Sequence, residues 1–328
     1  MKSRVLGSSR IDVSEIGYGS MGLTWAYGQP VTAQNEQDAI SLLNRAIDLG
    51  VTLFDTADMY GPFTNEELVG KALHARRDEV VIATKCGLVV HGNRENYDIR
   101  RDATPQHIRE ACDASLRRLG IDVIDLYQLH RVDPNVPVEE SVGAMADLVQ
   151  SGKVRAIGLS EVDVPTLERA MLVHPIASLQ SEYSLFERNV EAEILPWCRH
   201  HDLALLAYSP LGRGMLTGRL KRSDIASDDF RATLPRFQGE TFEHNRRIVD
   251  RVQAVAERSG ATSGQVALAW LLAKSPNVIP IPGTKRREYL EENAGAAYVQ
   301  LSRADISELD SLPAPMGERY PEAKTTAR

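Results

Sequence analysis

Eight times along this chain a short run of aliphatic and β-branched residues gives way to a longer segment whose apolar residues fall at helical spacing. The runs lie at 16–20, 52–57, 80–85, 123–130, 154–160, 177–184, 203–209 and 278–282. The helical segments cover 34–49, 64–74, 105–119, 138–151, 164–172, 189–201, 243–258 with 263–274, and 287–296. Several runs (VVIAT, VIDLYQL, LALLAY) are almost continuously apolar, as parallel strands buried on both faces must be. The segment at 105–119 shows the local logic. Thr104 stands as N-cap, Pro105 takes the first helical position, and Ile108, Cys112, Leu116 and Leu119 share one face. Alternation this regular predicts a single (β/α)8 TIM barrel across 1–328 rather than an open sheet.

Three stretches stand outside the alternation. Residues 4–18 read as a hairpin around Gly7, Ser8 and Ser9, either a plug for one end of the barrel or an ordinary edge hairpin. About 30 polar residues separate the run at 203–209 from the helix at 243–258, long enough to suggest a functional loop. The tail from Pro313 has no periodicity and reads as a loop or lid.

Composition excludes several classes of function. A net charge of −7 argues against a general binder of nucleic acid or anionic membranes, which needs a basic field. No apolar run approaches the ~18 residues of a membrane span, and the N-terminal MKSRVLGSSR lacks the apolar core of a signal peptide. Cys86, Cys112 and Cys198 are too widely spaced for a zinc site or a disulfide framework. A cytoplasmic protein with reduced thiols and no metal is the expectation.

Barrels of this kind carry their chemistry where the strands end. Asp55 ends the second run, with Tyr60 just beyond, before a helix with Thr64 or Asn65 as cap. Lys85 ends the third and His130 the fourth. Ser160 ends the fifth, Gln180 and Tyr183 lie on the sixth, and Tyr208 with Ser209 ends the seventh. The eighth opens into Gly283, Thr284, Lys285 and Arg286. Taken singly, an aspartate at a strand end is more often a turn former. Taken together, four ionisable groups on adjacent strand ends point to proton chemistry. A tyrosine phenol with an ordinary pKa of about 10 becomes a usable acid when a nearby ammonium pulls that value down. Lys85 is placed to supply the ammonium, Asp55 to hold it charged, and His130 to hydrogen-bond a carbonyl oxygen.

The motifs FDTADMYG, VIATKCG, IDLYQLH, VRAIGLS, AYSPLGRGMLTG and IPIPGTKRREYLEEN, in that order, resemble the aldo-keto reductase superfamily over about residues 4–312. The chain is most similar to the branch that includes plant perakine reductase and auxin-induced-type reductases. The resemblance implies NADPH-dependent reduction of a small carbonyl substrate, with the catalytic tetrad on Asp55, Tyr60, Lys85 and His130. It implies nicotinamide contacts at Ser160, Gln180 and Tyr208. It further implies a pyrophosphate strap over Ser209, Pro210, Leu211, Gly212, Arg213, Gly214 and Arg219, with Arg231 a weaker member. Gly283, Thr284, Lys285 and Arg286 match the loop for the adenosine 2′-phosphate, and Glu292 with Asn293 match the adenine contacts. Two positions depart from the family pattern: Glu161, often Asn or Arg in relatives, and Tyr289, commonly Arg or Gln. Two alternatives stay open at this level. One is a cofactor-binding regulatory protein on the same fold, like potassium-channel β subunits. The other is a phosphate-binding isomerase or lyase barrel. Substrate walls are expected from Trp25, Tyr27, the 86–103 and 213–243 loops and the tail; the substrate itself and the oligomeric state are not legible.

Overall fold

The computed structural model describes residues 1–25, 27, 30–32, 34–92 and 98–321. Positions 26 and 28 of the glycine-rich loop, 93–97 of the 86–103 connection and 322–328 of the tail lie outside the described residues.

Two short strands open the chain, β1 (Ser3–Val5) and β2 (Asp12–Ser14), paired antiparallel with Arg4 opposite Val13. The first barrel strands are β3 (Tyr18–Gly19), β4 (Leu53–Asp55) and β5 (Val81–Cys86). A hairpin of β6 (Leu88–His91) and β7 (Asp98–Arg101) follows, inside the connection read as a loop. Five more barrel strands complete the set: β8 (Ile124–Leu129), β9 (Val154–Ser160), β10 (Ser178–Glu182), β11 (Ala204–Tyr208) and β12 (Val278–Pro280). The helices are α1 (Met21–Thr24), α2 (Glu36–Asp48), α3 (Thr64–Leu73), α4 (Pro105–Leu119), α5 (Val138–Gln150) and α6 (Val164–Met171), then α7 (Ile194–His200), α8 (Gly239–Ser259), α9 (Ser263–Lys274), α10 (Arg287–Gly295) and α11 (Arg303–Asp310).

The eight barrel strands pair in parallel, in chain order from β3 to β12. Gly17 N donates to Pro280 O at 2.9 Å and Gly19 N to Pro282 O at 3.2 Å, so first and last strands meet and the sheet curls into the (β/α)8 barrel. That seam is tight. A Cβ on Gly283 would overlap Gly19 O, so the two backbones approach only because a glycine stands there.

Several expectations need correction. The helix expected over 189–201 is a single 3-10 turn, Asn189–Glu191, followed by α7. Helix α8 begins earlier than 243, at Gly239, and the long polar connection before it is built of 3-10 turns. Helix α11 went unread, although its signal is in the sequence. Ser302 accepts from Asp305 N at 3.1 Å while Asp305 Oδ2 accepts from Ser302 N, the capping box that starts a helix.

Side chains of a strand alternate between faces. Leu53, Val81, Ala83, Leu126, Ala156, Ala204, Leu206 and Ile279 pack with one another inside the barrel. Their neighbours Phe54, Ile82, Tyr127, Ile157, Leu179 and Leu205 join the larger core beneath the helices. Leu6, Ile11 and Val13 of the N-terminal hairpin belong to the interior cluster, so the hairpin plugs the barrel. Gly7 lies at the N-terminal ends of β10 and β11, with φ +49°; a Cβ there would come within 2.5 Å of Asp202 O and closer still to Ala177 O. The substitution Gly7→Ala is therefore expected to destabilise the fold by about 1–3 kcal/mol, through backbone strain and displacement of the plug. An unchanged chemical-denaturation midpoint in this variant would show that the hairpin does not seal the barrel floor.

Candidate active site

The period of two that fills the barrel with Leu53, Ala83, Leu126, Ala156 and Leu206 continues to the C-terminal ends of the same strands. Asp55 lies two residues beyond Leu53, and Lys85 two beyond Ala83. Gln128 and His130 follow Leu126 at the same step, and Tyr208 follows Leu206. All take the interior parity, so they converge above the apolar plug.

Lys85 has no exposed surface. Its Nζ donates to Asp55 Oδ1 at 2.5 Å, Thr56 O at 2.7 Å and Tyr60 Oη at 3.3 Å. The other carboxylate oxygen of Asp55 accepts from Gln180 Nε2 at 2.8 Å and Gln128 Nε2 at 3.1 Å. Burial works against the Lys85 charge, but Asp55 and Tyr60 outweigh it and hold the ammonium above its ordinary pKa. Tyr60 corrects the expectation of a lowered phenol. Burial raises its pKa more than Lys85 lowers it, so the phenol keeps its proton well past neutrality.

The loop that carries Tyr60 is pinned by Asn65. This side chain is fully buried: it accepts from Ser20 Oγ and Thr56 Oγ1, each at 2.6 Å, and donates to Ser20 O at 3.0 Å and Thr24 Oγ1 at 2.8 Å. Neither Thr64 nor Asn65 caps α3; the cap position falls on Phe63, at a positive φ of 69°. Thr64 Oγ1 donates to Gly61 O at 3.0 Å, so the two polar residues that look like a helix start brace the Tyr60 loop instead.

His130 completes the group. Its ring meets the Tyr60 ring edge-on at 5.9 Å between centroids. Burial first, then the charges of Lys85 and Arg131, drive its pKa well below 6.5, so the imidazole is neutral. Its buried Nδ1 has no protein partner. Arg131 donates to His130 O at 2.6 Å and to Ser160 Oγ at 3.1 Å. An apolar wall of Met21, Trp25, Leu88 and Val90 packs around Ala57, Met59 and Tyr60.

The residues matched to a cofactor line one arc of the same lip. Ser160 and Tyr208 end β9 and β11, and Gln180 lies on β10 between them, whereas Tyr183 turns outward to Glu191, at 2.7 Å, and Trp270. Beyond β11, Ser209, Gly212, Arg213 and Gly214 all have positive φ, and Pro210 and Leu211 complete this turn. Its backbone doubles back, with Gly212 N bonded to Ser209 O and Gly214 N to Leu211 O. The Arg213 side chain turns inward to Glu182 at 3.0 Å and Tyr320 Oη at 3.1 Å. Arg219 pairs with Glu292 at 2.7 Å and packs over the Tyr289 ring, whose centroid also lies 5.3 Å from Arg286. Lys285 Nζ donates to Tyr27 O at 2.6 Å, and Arg286 N donates to Thr284 Oγ1 at 3.0 Å. Asn293 is buried beside these residues on α10, after Gly283 has closed the seam. Arg231 pairs with Asp229 and donates to Arg213 O at 3.3 Å.

Four site residues escaped sequence reasoning. Gln128 and Glu182 sit two residues from His130 and Gln180, so strand parity alone could have found them. Asn65 was read as a cap. Arg319, in the aperiodic tail, gave no signal at all. It donates to Glu161 Oε1 at 2.9 Å and Oε2 at 3.0 Å, to Glu182 Oε2 at 2.5 Å, and to Tyr208 Oη. Among the described residues no group of His, Cys, Asp and Glu has the arrangement of a metal site, and no helix is long and apolar enough to cross a membrane.

Comparison with known proteins agrees across methods. A family model described as the Aldo/keto reductase family matches residues 15–314. A probable aldo-keto reductase 1 from Glycine max is 43% identical over 305 residues, covering 93% of this chain and 86% of that protein. Among solved structures, a glycerol dehydrogenase from Gluconobacter oxydans is 32% identical with a TM-score of 0.86 over 94% of each chain. An aldo/keto reductase from Klebsiella pneumoniae, solved with NADP and acetate, is 29% identical with a TM-score of 0.75 over 98% of this chain and 99% of that one.

The Glu161–Arg319 pair has a measurable signature. Burial would raise the Glu161 carboxyl, but the Arg319 charge and its paired hydrogen bonds reverse this and bring it from 4.5 down to about 2. A depressed folded-state pKa contributes stability that is present above the unfolded value and lost as pH falls through the folded one. Unfolding free energy should therefore drop between about pH 4.5 and 2, by on the order of 3 kcal/mol for this group. In Glu161→Gln the slope over that window should be shallower by this amount; an identical pH profile would show the pair to be energetically silent.

Proposed function

The chain belongs to the aldo/keto reductase family, and on that premise we propose that it reduces an aldehyde or ketone with NADPH, and runs the reverse oxidation, with Tyr60 as proton donor. The observation that carries the reading is the continuous contact from Asp55 through Lys85 to Tyr60, at 2.5 and 3.3 Å, with neutral His130 beside the phenol. The residues fit such a cofactor. The hydroxyl and amide of Ser160 and Gln180 and the ring of Tyr208 suit a neutral nicotinamide, while Arg219, Lys285 and Arg286 gather cationic donors at the other end of the arc. The backbone turn from Ser209 to Gly214 offers N–H groups suited to a pyrophosphate, and Glu292 and Asn293 are the adenine-side candidates. Bound NADPH supplies the hydride that goes to the carbonyl carbon.

The protein's part is to hold the carbonyl and supply the proton. His130, neutral and with a ring nitrogen lacking a protein partner, is suited to hydrogen-bond the carbonyl oxygen. Lys85 donates to Tyr60 Oη, which leaves the phenol's own hydrogen available to the substrate. As negative charge develops on the carbonyl oxygen, that proton moves across. The phenolate left behind lies against the ammonium and is stabilised by it. Asp55 keeps Lys85 charged and aimed, and Gln128 with Gln180 keeps Asp55 in place. Solvent then restores the proton to Tyr60. The wall of Met21, Trp25, Leu88 and Val90 supports a substrate with an aliphatic or aromatic group on the carbonyl.

Replacing Tyr60 with Phe should leave NADPH binding nearly intact and cut turnover of an aromatic aldehyde by ~10²–10⁴-fold. Lys85→Met should act in the same direction by removing the cation that stabilises the phenolate. Near-normal turnover in Tyr60→Phe would mean that another group donates. Negligible turnover of all carbonyls by the unaltered protein, with NADPH bound, would favour a regulatory role instead.

Cofactor choice rests on the two cations after the eighth strand. Each charge-assisted hydrogen bond to a phosphate contributes on the order of 1.5–3 kcal/mol, or roughly 10- to 150-fold in affinity. The Lys285→Ala, Arg286→Ala variant should thus bind NADPH much more weakly while NADH affinity hardly changes. With both dissociation constants measured at one ionic strength, equal losses would assign these residues to the shape of the loop.

A further inference from the structure

The tail beyond Pro313 is docked to the barrel by backbone contacts before its side chains enter the site. Met316 N donates to Asn245 Oδ1 at 2.8 Å, and Asn245 Nδ2 returns a bond to Met316 O at 3.0 Å. Arg236 Nε donates to Gly317 O at 3.2 Å. This anchorage on α8 and the turn before it delivers Arg319 to the barrel lip, where its side chain is nine-tenths buried.

The partners of Arg319 share one property. Glu161 follows Ser160 at the end of β9, Glu182 lies two residues beyond Gln180 at the end of β10, and Tyr208 ends β11. Each is either a candidate nicotinamide contact or within two residues of one. A single guanidinium thus ties together the three strand ends on which the reactive end of the cofactor would rest. Glu182 keeps a second cation in Arg213, but Glu161 has no other ion pair among the described residues. Without Arg319, two buried carboxylates would face each other around a single arginine and repel.

We propose that Arg319 is a positioning residue of the cofactor site. It holds the Tyr208 ring and the ends of β9, β10 and β11 in the arrangement that stacks against nicotinamide, and makes the C-terminal segment part of the active site. The proposal rests on the reading that this chain binds NADPH. Arg319 donates to the Tyr208 oxygen and lies 5.7 Å from its ring centroid, so it restrains the ring both in its plane and across its face. Lysine could replace the charge but not the fork that reaches Glu161 with two nitrogens while a third meets Glu182.

The test is a double-mutant cycle read by NADPH titration and steady-state kinetics. Arg319→Ala should raise the NADPH dissociation constant by about 10-fold or more, because the unbraced Tyr208 ring and strand ends must then be ordered on binding. It should lower kcat at saturating cofactor more than it raises the carbonyl KM, and Arg319→Lys should restore only part of the loss. Tyr208→Ala should weaken NADPH binding similarly. Adding Arg319→Ala to Tyr208→Ala should cost little more, because no ring remains to be positioned. If Arg319→Ala does not fold, the pair Glu161→Gln, Arg319→Gln, which removes a buried carboxylate along with its cation, carries the same comparison. Fully additive losses would overturn the positioning role and leave Arg319 as a structural pin. Tighter NADPH binding by Arg319→Ala would overturn it in the other direction, making the tail a plug that competes with cofactor. A complete absence of NADPH binding by the unaltered protein would instead remove the reading beneath the proposal, and the proposal with it.

Discussion

A lysine ammonium with no exposed surface, 2.5 Å from a buried aspartate, is the interaction on which this barrel lip depends. Withdrawing either charge from water costs several kcal/mol, and the pair repays this only if every remaining donor and acceptor is satisfied. Here Thr56 O and Tyr60 Oη take two of the Lys85 protons, and two glutamine amides occupy the free oxygen of Asp55. The pair therefore dictates its surroundings: Gln128 and Gln180 must be amides, and Tyr60 must approach from outside the strands. The same requirement explains the bracing of the Tyr60 loop by Asn65. A phenol 3.3 Å from the ammonium is useful only if the loop carrying it does not move.

A second buried charge centre stands a few strands away, built from Glu161, Glu182, Arg213 and Arg319. It differs from the first in kind. The Asp55–Lys85 pair joins adjacent strands, whereas this group joins the ends of β9 and β10 to the turn after β11 and to the C-terminal tail. Glu161 adopts φ +54°, a conformation costly for a side chain with a Cβ, and is held there by its N–H bonded to Gln180 O, by Glu182 N bonded to its Oε1 and by the bidentate bond to Arg319. The departure at position 161 thus has a partner: an acid in place of the more usual amide or base is answered by a base from the tail. The inward turn of Arg213 has the same cause. The buried carboxylate of Glu182 draws the Arg213 guanidinium inward, whereas Arg219 stays half-exposed and pairs with Glu292.

Strand parity made most of the lip legible in the chain itself. A run such as IDLYQLH places Leu126, Gln128 and His130 on one face. Once Leu126 is taken as barrel interior, the other two are committed to the mouth. The same step leads from Ala83 to Lys85 and from Leu53 to Asp55. The eightfold alternation settled the architecture for a related reason: parallel strands need helical crossovers, and eight in a row close on themselves. Local signals failed where a side chain serves something distant. Asn65 has the residue type and position of a helix cap, yet its four hydrogen bonds reach Ser20 just past β3, Thr24 at the end of α1 and Thr56 just past β4.

What the sequence by itself determined was therefore the barrel, the parity of its interior and the places of Asp55, Lys85 and His130 at its mouth, because these follow from periodicities of two and 3.6 residues along the chain. What only the tertiary structure decided was the balance of charges and the role of the tail. Whether burial or Lys85 dominates the Tyr60 phenol depends on how completely the folded barrel excludes water, which no local pattern records. Arg319 meets Glu161 across 158 residues of chain. A contact at that separation leaves no periodic trace, since it exists only when the tail has been anchored on α8 and the strand ends have been assembled beneath it.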